Sequence, residues 1–314
     1  MYLKLLGTAA GGGFPQWNCN CLNCRAVRQH QPGFVPRLQS SIAVISNAAM
    51  SSTQRDPCWV LVNASPDIRA QLEMYLPVGE GALPRSKRLS AIILTDAQLD
   101  HTAGLLLLRE ANSPHPVYCS GAVLADLMNG FPALRIMNFY AGFEYRPLLL
   151  QKQMNLDELE GVRVFAIPIS GKAPPYSPTR GSETPDTNVA LVFEDEDSGR
   201  RLVYAPGLAK IELALVPYFE SADVLLLDGT AFYDDDMIRA ECSSKTATSM
   251  GHLPLSGMGS IKGLIAELRE FPKARKILVH INNTNPILDP HSGERRILEE
   301  AGIELGFDGM EIFI

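Results

Sequence analysis

Short apolar runs bounded by turn formers punctuate the whole chain, and they constrain its fold more than any other feature. They go from YLKLLG through SSIAVIS, CWVLVNA, SAIILT, PVYCS, RVFAIP, NVALVFE, RLVYAP, DVLLLD and KILVHIN to MEIFI. Each is rich in Val, Ile, Leu or Tyr and reads as a strand. Helical patterns fall between them at 67–75, 101–110, 122–128, 256–270 and 293–301, with Ser65, Ser256 and Ser292 placed as N-caps. Strands gather early and late, with helices in both groups. That distribution predicts two packed sheets flanked by helices rather than one all-parallel sheet. One domain over residues 1–314 is expected, because folds of this kind often reach such a length as a single unit.

Composition narrows the function. The chain of 314 residues is 46% hydrophobic and 20% charged, ample for a large core. Its formal charge is −7 and no dense run of Lys or Arg occurs, which argues against a nucleic-acid partner. No apolar run is long enough for a bilayer span, and the opening MYLKLLGTAAGGG is too short for a signal peptide. A cytoplasmic protein with reduced thiols and no membrane partner is expected.

Cys19, Cys21 and Cys24 crowd into six positions, while Cys58, Cys119 and Cys242 are isolated. Clustered thiolates in a reducing compartment suit one tetrahedral Zn²⁺ in a structural role, better than three unrelated cysteines would. Cys58 and Cys119, in apolar strand contexts, are expected to be buried and inert.

Several strands end abruptly in polar groups. SAIILTDAQLDHTAGLLLL ends in Asp96, Asp100 and His101; DVLLLDGT ends at Asp228; MGHLPLSG carries His252; KILVHINNTNP carries His280. Any one could be a satisfied structural group, and Asp100 alone could be a helix cap. Together they place carboxylates and imidazoles at strand ends, where burial is costly unless the groups are paired or bind a metal. Oxygen and imidazole ligands suit Fe²⁺, Mn²⁺ or Zn²⁺. The segment GKAPPYSPTRGSETPDT, Gly171 to Thr187, has no apolar period and reads as a lid or as an exposed connection. Its Lys172, Tyr176 and Arg180, with the glycines at 11–13, among them Gly12 and Gly13, are candidates for receiving a multiply anionic small molecule.

Thr95-Asp-Ala-Gln-Leu-Asp-His-Thr-Ala-Gly104 resembles the metallo-β-lactamase superfamily motif (T)HxHxDHxxG, and His280 matches that superfamily's terminal strand histidine. GTAAGGGFPQWNCNCLNC, IPISGKAPPY, LLLDGT, MGHLPLSG and HINNTNPI make the chain similar to one branch, the coenzyme PQQ synthesis protein B family. The resemblance implies the mixed α/β (α+β) class, specifically the metallo-β-lactamase αββα sandwich, and a role in making pyrroloquinoline quinone (PQQ). Departures matter as much. Asp96 and Gln98 replace the two motif histidines, Gly207 falls where hydrolases carry a bridging aspartate, and IPISGK lacks a histidine after its strand. What the resemblance carries over is a single metal position: Asp100, His101 and His280, with Asp96 able to join and with Asp228 and His252 as catalytic groups completing the shell. It implies Fe²⁺- and O₂-dependent hydroxylation of the tyrosine ring of a small acidic, crosslinked Glu–Tyr precursor. A non-catalytic carrier of PQQ or its precursor, and a metal-dependent hydrolase, are the alternatives. A related cyclic phosphodiesterase takes the fourth ligand of its CxCxxC zinc from a histidine, here replaced by Asn283; Asn283, His30 or a water is expected to complete the structural Zn²⁺ site. The family also suggests that this zinc supports a homodimer contact.

Overall fold

The computed structural model describes residues 1–51, 58–78, 85, 88–181 and 186–314. Two seven-stranded sheets dominate. The first runs, edge to edge, through Glu311–Phe313, Tyr2–Gly7, Ser41–Ile45, Trp59–Val62, Leu89–Ile93, His115–Cys119 and Phe143–Pro147. The second runs through Ile303–Leu305, Arg275–Val279, Val224–Asp228, Arg201–Ala205, Val189–Asp195, Val162–Pro168 and Gln153–Asn155. Each sheet mixes parallel and antiparallel pairs.

Alternation along the strands explains the layering. In the strand VLLLD, Val224 and Leu226 pack between the sheets against Leu3, Val44 and Ile93, whereas Leu225 and Leu227 face outward onto Phe219, Leu264 and Leu298. The first sheet repeats the pattern. Val60 and Val62 face inward, and Leu61 packs outward against Ile68, Leu72 and Leu134. A strand covered on both faces needs apolar residues at every position, which is why these runs read as continuous rather than alternating. The result is the αββα sandwich. No helix among the described residues is long and apolar enough to cross a membrane.

Three helical expectations changed. The pattern at 101–110 folds as a short helix, Leu99–Thr102, tightening into a 3₁₀ stretch over Ala103–Leu108. The segment at 256–270 begins instead as a two-stranded ribbon, Gly257–Met258 with Ile261–Lys262, because Gly257 (φ 83°) and Gly259 (φ 57°) turn the chain through left-handed backbone. Its helix is confined to Leu264–Glu267, so Ser256 is not a cap. Ser65 also fails as the expected cap. It accepts from the Asp67 N–H within a turn, and the helix Ile68–Tyr75 follows Asp67. Ser292 does cap Gly293–Glu300, its hydroxyl accepting from the Arg295 N–H at 3.0 Å.

Candidate metal centre

The first sheet delivers one half of the site. Strand Leu89–Ile93 leads through Thr95 into Asp96 and the helix Leu99–Thr102. Asn63, held in left-handed backbone at φ 63°, clamps this turn: its Oδ1 accepts from the Thr95 N–H at 3.0 Å and its Nδ2 donates to Thr95 Oγ1 at 2.9 Å. Thr95 Oγ1 then donates to Asp96 Oδ2 at 2.8 Å, and the same oxygen accepts from His101 Nδ1 at 2.7 Å. Gly104 closes the turn so tightly that an added Cβ would lie 2.0 Å from the Ser65 carbonyl oxygen, so no other residue fits.

The second sheet delivers the other half. Strands Val224–Asp228 and Arg275–Val279 run in parallel with Asp228 level with Val279, which sets His280 at the same rim. His280 adopts φ 55°, an unfavourable backbone for a non-glycine residue that tends to persist where function requires it. Asp228 is fully enclosed. It accepts from the Leu208 N–H (2.9 Å), the Thr230 N–H (2.9 Å), Thr230 Oγ1 (2.6 Å) and His252 Nδ1 (2.5 Å).

These bonds correct one expectation. Asp96 stands behind His101 as its orienting carboxylate rather than beside it as a ligand. Asp228 likewise orients His252 and accepts from four donors, yet Asp228, His252 and His280 still bring ligand atoms within 4.8 Å of one another, a second candidate set that shares His280. Such carboxylate–histidine pairs fix the tautomer and aim the opposite ring nitrogen. His252, with Nδ1 engaged, offers Nε2 to the cavity that it lines.

The remaining three side chains converge on one point. Thr230 Oγ1 lies 2.6 Å from Asp228 Oδ1 and 2.9 Å from His280 Nδ1, and His280 Nε2 meets Asp100 Oδ2 at 3.2 Å. His101 Nε2 is buried, 4.0 Å from the same oxygen, and has no hydrogen-bond partner among the described residues. A carboxylate and two imidazole nitrogens this close call for a shared positive charge, a proton or a metal. A ligand atom from each of Asp100, His101 and His280 lies within 4.8 Å of the other two. Two imidazoles and a carboxylate thus fit a divalent metal.

The electrostatics agree. Burial would raise the pKa of Asp100, but His101 and His280 hold it well below the usual carboxylate range. Burial would lower that of His280, but Asp100 and Asp228 push it up to about 10. Three carboxylates, Asp96, Asp100 and Asp228, face three histidines, His101, His252 and His280, so the pocket draws positive charge, whether proton or metal.

A cavity of about 450 Å³ opens from this cluster. Lys172 and Arg180 line it, as does Lys245, which the sequence did not single out. Lys172 also donates to the Ser249 carbonyl, and the Tyr176 hydroxyl donates to the Ala97 carbonyl, so the described part of the predicted lid lies across the motif. Residues 182–185 of that lid lie outside the described residues. Among the glycines, Gly11 borders the cavity; the N–H groups of Gly12 and Gly13 are spent on Gln39 Oε1 (3.0 Å) and the Ala10 carbonyl (3.1 Å), so they do not serve as the expected anion donors. Thr230 and Asn63 were also missed, because each acts only through a partner distant in sequence.

The cysteine cluster forms separately. Cys19, Cys21 and Cys24 bring their sulfurs within 4.8 Å of one another. Asn283 Nδ2 donates to all three, at 3.1, 3.7 and 3.3 Å. Donation from Cys21 lowers the Cys24 pKa; burial opposes that shift and Asn283 reinforces it. Thiols that share donors this closely fit a thiolate-bound cation. His30 is exposed and does not join the cluster. Cys119 is buried, and burial pushes its thiol up to about 12, whereas Cys58 is only half-buried, short of the expected burial.

Residues 58–281 match the family described as Beta-lactamase superfamily domain. The coenzyme PQQ synthesis protein B of Pseudomonas paraeruginosa is 46% identical, covering 99% of each chain. That of Methylococcus capsulatus is 45% identical, covering 100% of each. The crystal structure of Zn²⁺-bound PqqB from Methylobacterium extorquens superposes with a TM-score of 0.87 at 35% identity, covering 100% of both chains. A diphosphatase of the PhnP family shares the fold alone, at 19% identity and a TM-score of 0.64 with 99% of this chain and 96% of that one covered. With this rim geometry and full-length identity of that order, the chain belongs to the coenzyme PQQ synthesis protein B family of metallo-β-lactamase-fold proteins.

Proposed function

We propose that this protein acts in PQQ biosynthesis as a mononuclear Fe²⁺-dependent oxygenase that hydroxylates the tyrosine ring of the crosslinked Glu–Tyr precursor. The observation that carries this reading is the convergence of Asp100, His101 and His280 on one position; the adjoining set Asp228, His252 and His280 shares His280, and its Asp228 oxygens already accept four hydrogen bonds. Asp96 is spent on His101, and Gly207 leaves open space where a bridging carboxylate would stand: an added Cβ there meets no heavy atom within 4 Å among the described residues. A dinuclear hydrolase needs both. Bound at the two histidines and the carboxylate, Fe²⁺ would supply O₂ activation and keep positions open for O₂ and substrate.

The chain's own residues supply the rest. Lys172, Arg180 and Lys245 receive substrate carboxylates on the wall of the cavity. The Asp228–His252 pair holds an imidazole nitrogen where it can take the phenolic proton of a bound tyrosine ring. The lid, tied to Ala97 through Tyr176, keeps bulk water from the ring. Each turn converts a ring C–H into C–OH, sends the second oxygen atom of O₂ to water, and consumes two electrons and two protons from a reductant such as ascorbate. Cys19, Cys21 and Cys24 hold a separate structural Zn²⁺.

The test is anaerobic loading with Fe²⁺ followed by addition of precursor, ascorbate and O₂. O₂ uptake matched to a product heavier by oxygen is expected. Hydrolytic turnover with Zn²⁺ and no O₂ uptake overturns the reading. Tight PQQ binding in Asp100→Ala with pathway flux intact would instead favour a carrier.

A further inference from the structure

The fourth corner of the cysteine site has two contenders. Asn283 faces all three sulfurs, but through an amide, a neutral and hard group poorly matched to a thiolate-bound ion. The other contender comes from a stretch where the sequence shows only an isolated cysteine. After the helix Asp236–Arg239, Glu241 adopts left-handed backbone at φ 54°, and the Cys242 N–H returns to the Met237 carbonyl at 2.9 Å. This turn sets Cys242 Sγ 3.6 Å from Cys19 Sγ. Zn–S bonds of about 2.3 Å at tetrahedral angles separate neighbouring sulfurs by roughly 3.8 Å. The contact therefore has the length of one edge of a four-sulfur site, whereas the Cys242 sulfur is not within 4.8 Å of all three others, so an ion has to draw it in.

We propose that Cys242 is the fourth ligand of the cysteine-bound zinc, making it a four-thiolate site in which the Asn283 amide donates hydrogen bonds to the sulfurs instead of coordinating. The proposal rests on the reading of Cys19, Cys21 and Cys24 as a zinc site. It also gives that zinc a task. The loop carrying Cys19 follows Gln16, which lines the cavity, and the segment carrying Cys242 contributes Met237, Lys245, Met250 and His252 to the same lining. A zinc bridging Cys19 and Cys242 staples two segments of the cavity lining together.

Cys242 is exposed, so its reactivity is a direct readout. The full-length protein is purified with Zn²⁺ or Co²⁺ as wild type, Cys242→Ser and Asn283→Ala. Each is alkylated with iodoacetamide before and after chelation, and the modified cysteines are read by mass spectrometry. Cys242 is expected to resist alkylation together with Cys19 in the metal-loaded wild type, and to react once the metal is stripped. Cys242→Ser should lose about one quarter of the thiolate-to-Co²⁺ charge-transfer absorbance, one sulfur of four. It should also surrender zinc to a chelator about tenfold more readily, with Asn283→Ala keeping the full absorbance. Free alkylation of Cys242 while Cys19 stays protected overturns the proposal and leaves a three-cysteine zinc. Loss of absorbance in Asn283→Ala but not in Cys242→Ser makes the amide the ligand. Cys19 reacting equally with and without metal removes the zinc reading itself, and the proposal with it.

Discussion

The two clusters are built on opposite plans. The cleft draws Asp100 and His280, 180 residues apart, onto one rim, and each histidine is aimed by a buried partner behind it. The cysteine cluster gathers three candidate ligands from six consecutive positions, where a partly exposed loop enters the helix Leu22–Arg28. Rigid strand ends can hold a few ligands with positions left open, because the scaffold and not the ion keeps them in place. A short loop running into one turn of helix has less such support, so a cluster of this kind would close around an ion and be held by it. Openness suits chemistry and closure suits structure.

The largest expected effect separates the two directly. Asp100→Ala should abolish cleft metal and lower turnover by about 10³-fold or more, while the zinc of the cysteine cluster stays. Cys19→Ser should do the reverse, and metal quantification on both variants checks it. If Asp100→Ala retains every ion, the cleft is not a metal site.

Next comes the support behind the ligands. Asp96→Asn keeps shape but loses the charge that fixes His101, and should weaken cleft metal binding by about 10- to 100-fold in a competition titration, with the cysteine zinc unaffected. An unchanged affinity would mean that the rigid strand ends alone hold the ligand.

Substrate contacts should matter less. Lys245→Ala removes one cation from the cavity wall and should raise KM about tenfold with kcat nearly constant, as expected for loss of one charge-assisted hydrogen bond. A fall in kcat without a change in KM would place Lys245 in the chemical step.

The smallest effect concerns the segment joining the two sites. Burial pushes the Asp236 carboxyl up to about 7, even though its oxygen accepts from the Phe232 and Tyr233 N–H groups. A carboxyl whose folded pKa lies above its unfolded value stabilises the fold below about pH 4, and that contribution drains away as pH rises towards about 7. Asp236→Asn should therefore be more stable than wild type at pH 8, by about 1 kcal/mol since those two donors favour the ionised form, and the gap should close at pH 4. Thermal unfolding at the two pH values measures it.

Much of this was legible in the chain. The apolar runs announced two doubly covered sheets, because a strand buried on both faces must be apolar at every position. The CxCxxC spacing announced three sulfurs close together, because its members are neighbours whatever the fold. Asp100, His101 and His280 stood among several polar strand-end groups, and the resemblance to the metallo-β-lactamase motif singled them out. Other features were not. Ser256 looked like a helix cap until left-handed Gly257 and Gly259 turned the segment into a ribbon. Asp96 looked like a ligand, since sequence reveals a carboxylate near a site but not whether its oxygens are already engaged.

The sequence by itself determined which residue types were available: a soft sulfur set within six positions, a hard oxygen and imidazole set at several strand ends, and layers apolar enough to bury both faces of two sheets. Only the tertiary structure decided their roles. The parallel register of Asp228 with Val279, the clamp of Asn63 on Thr95 and the turn at Glu241 bring together groups far apart along the chain. Coordination and hydrogen bonding act over a few ångströms, a range that local sequence spacing cannot report for residues that meet only on folding.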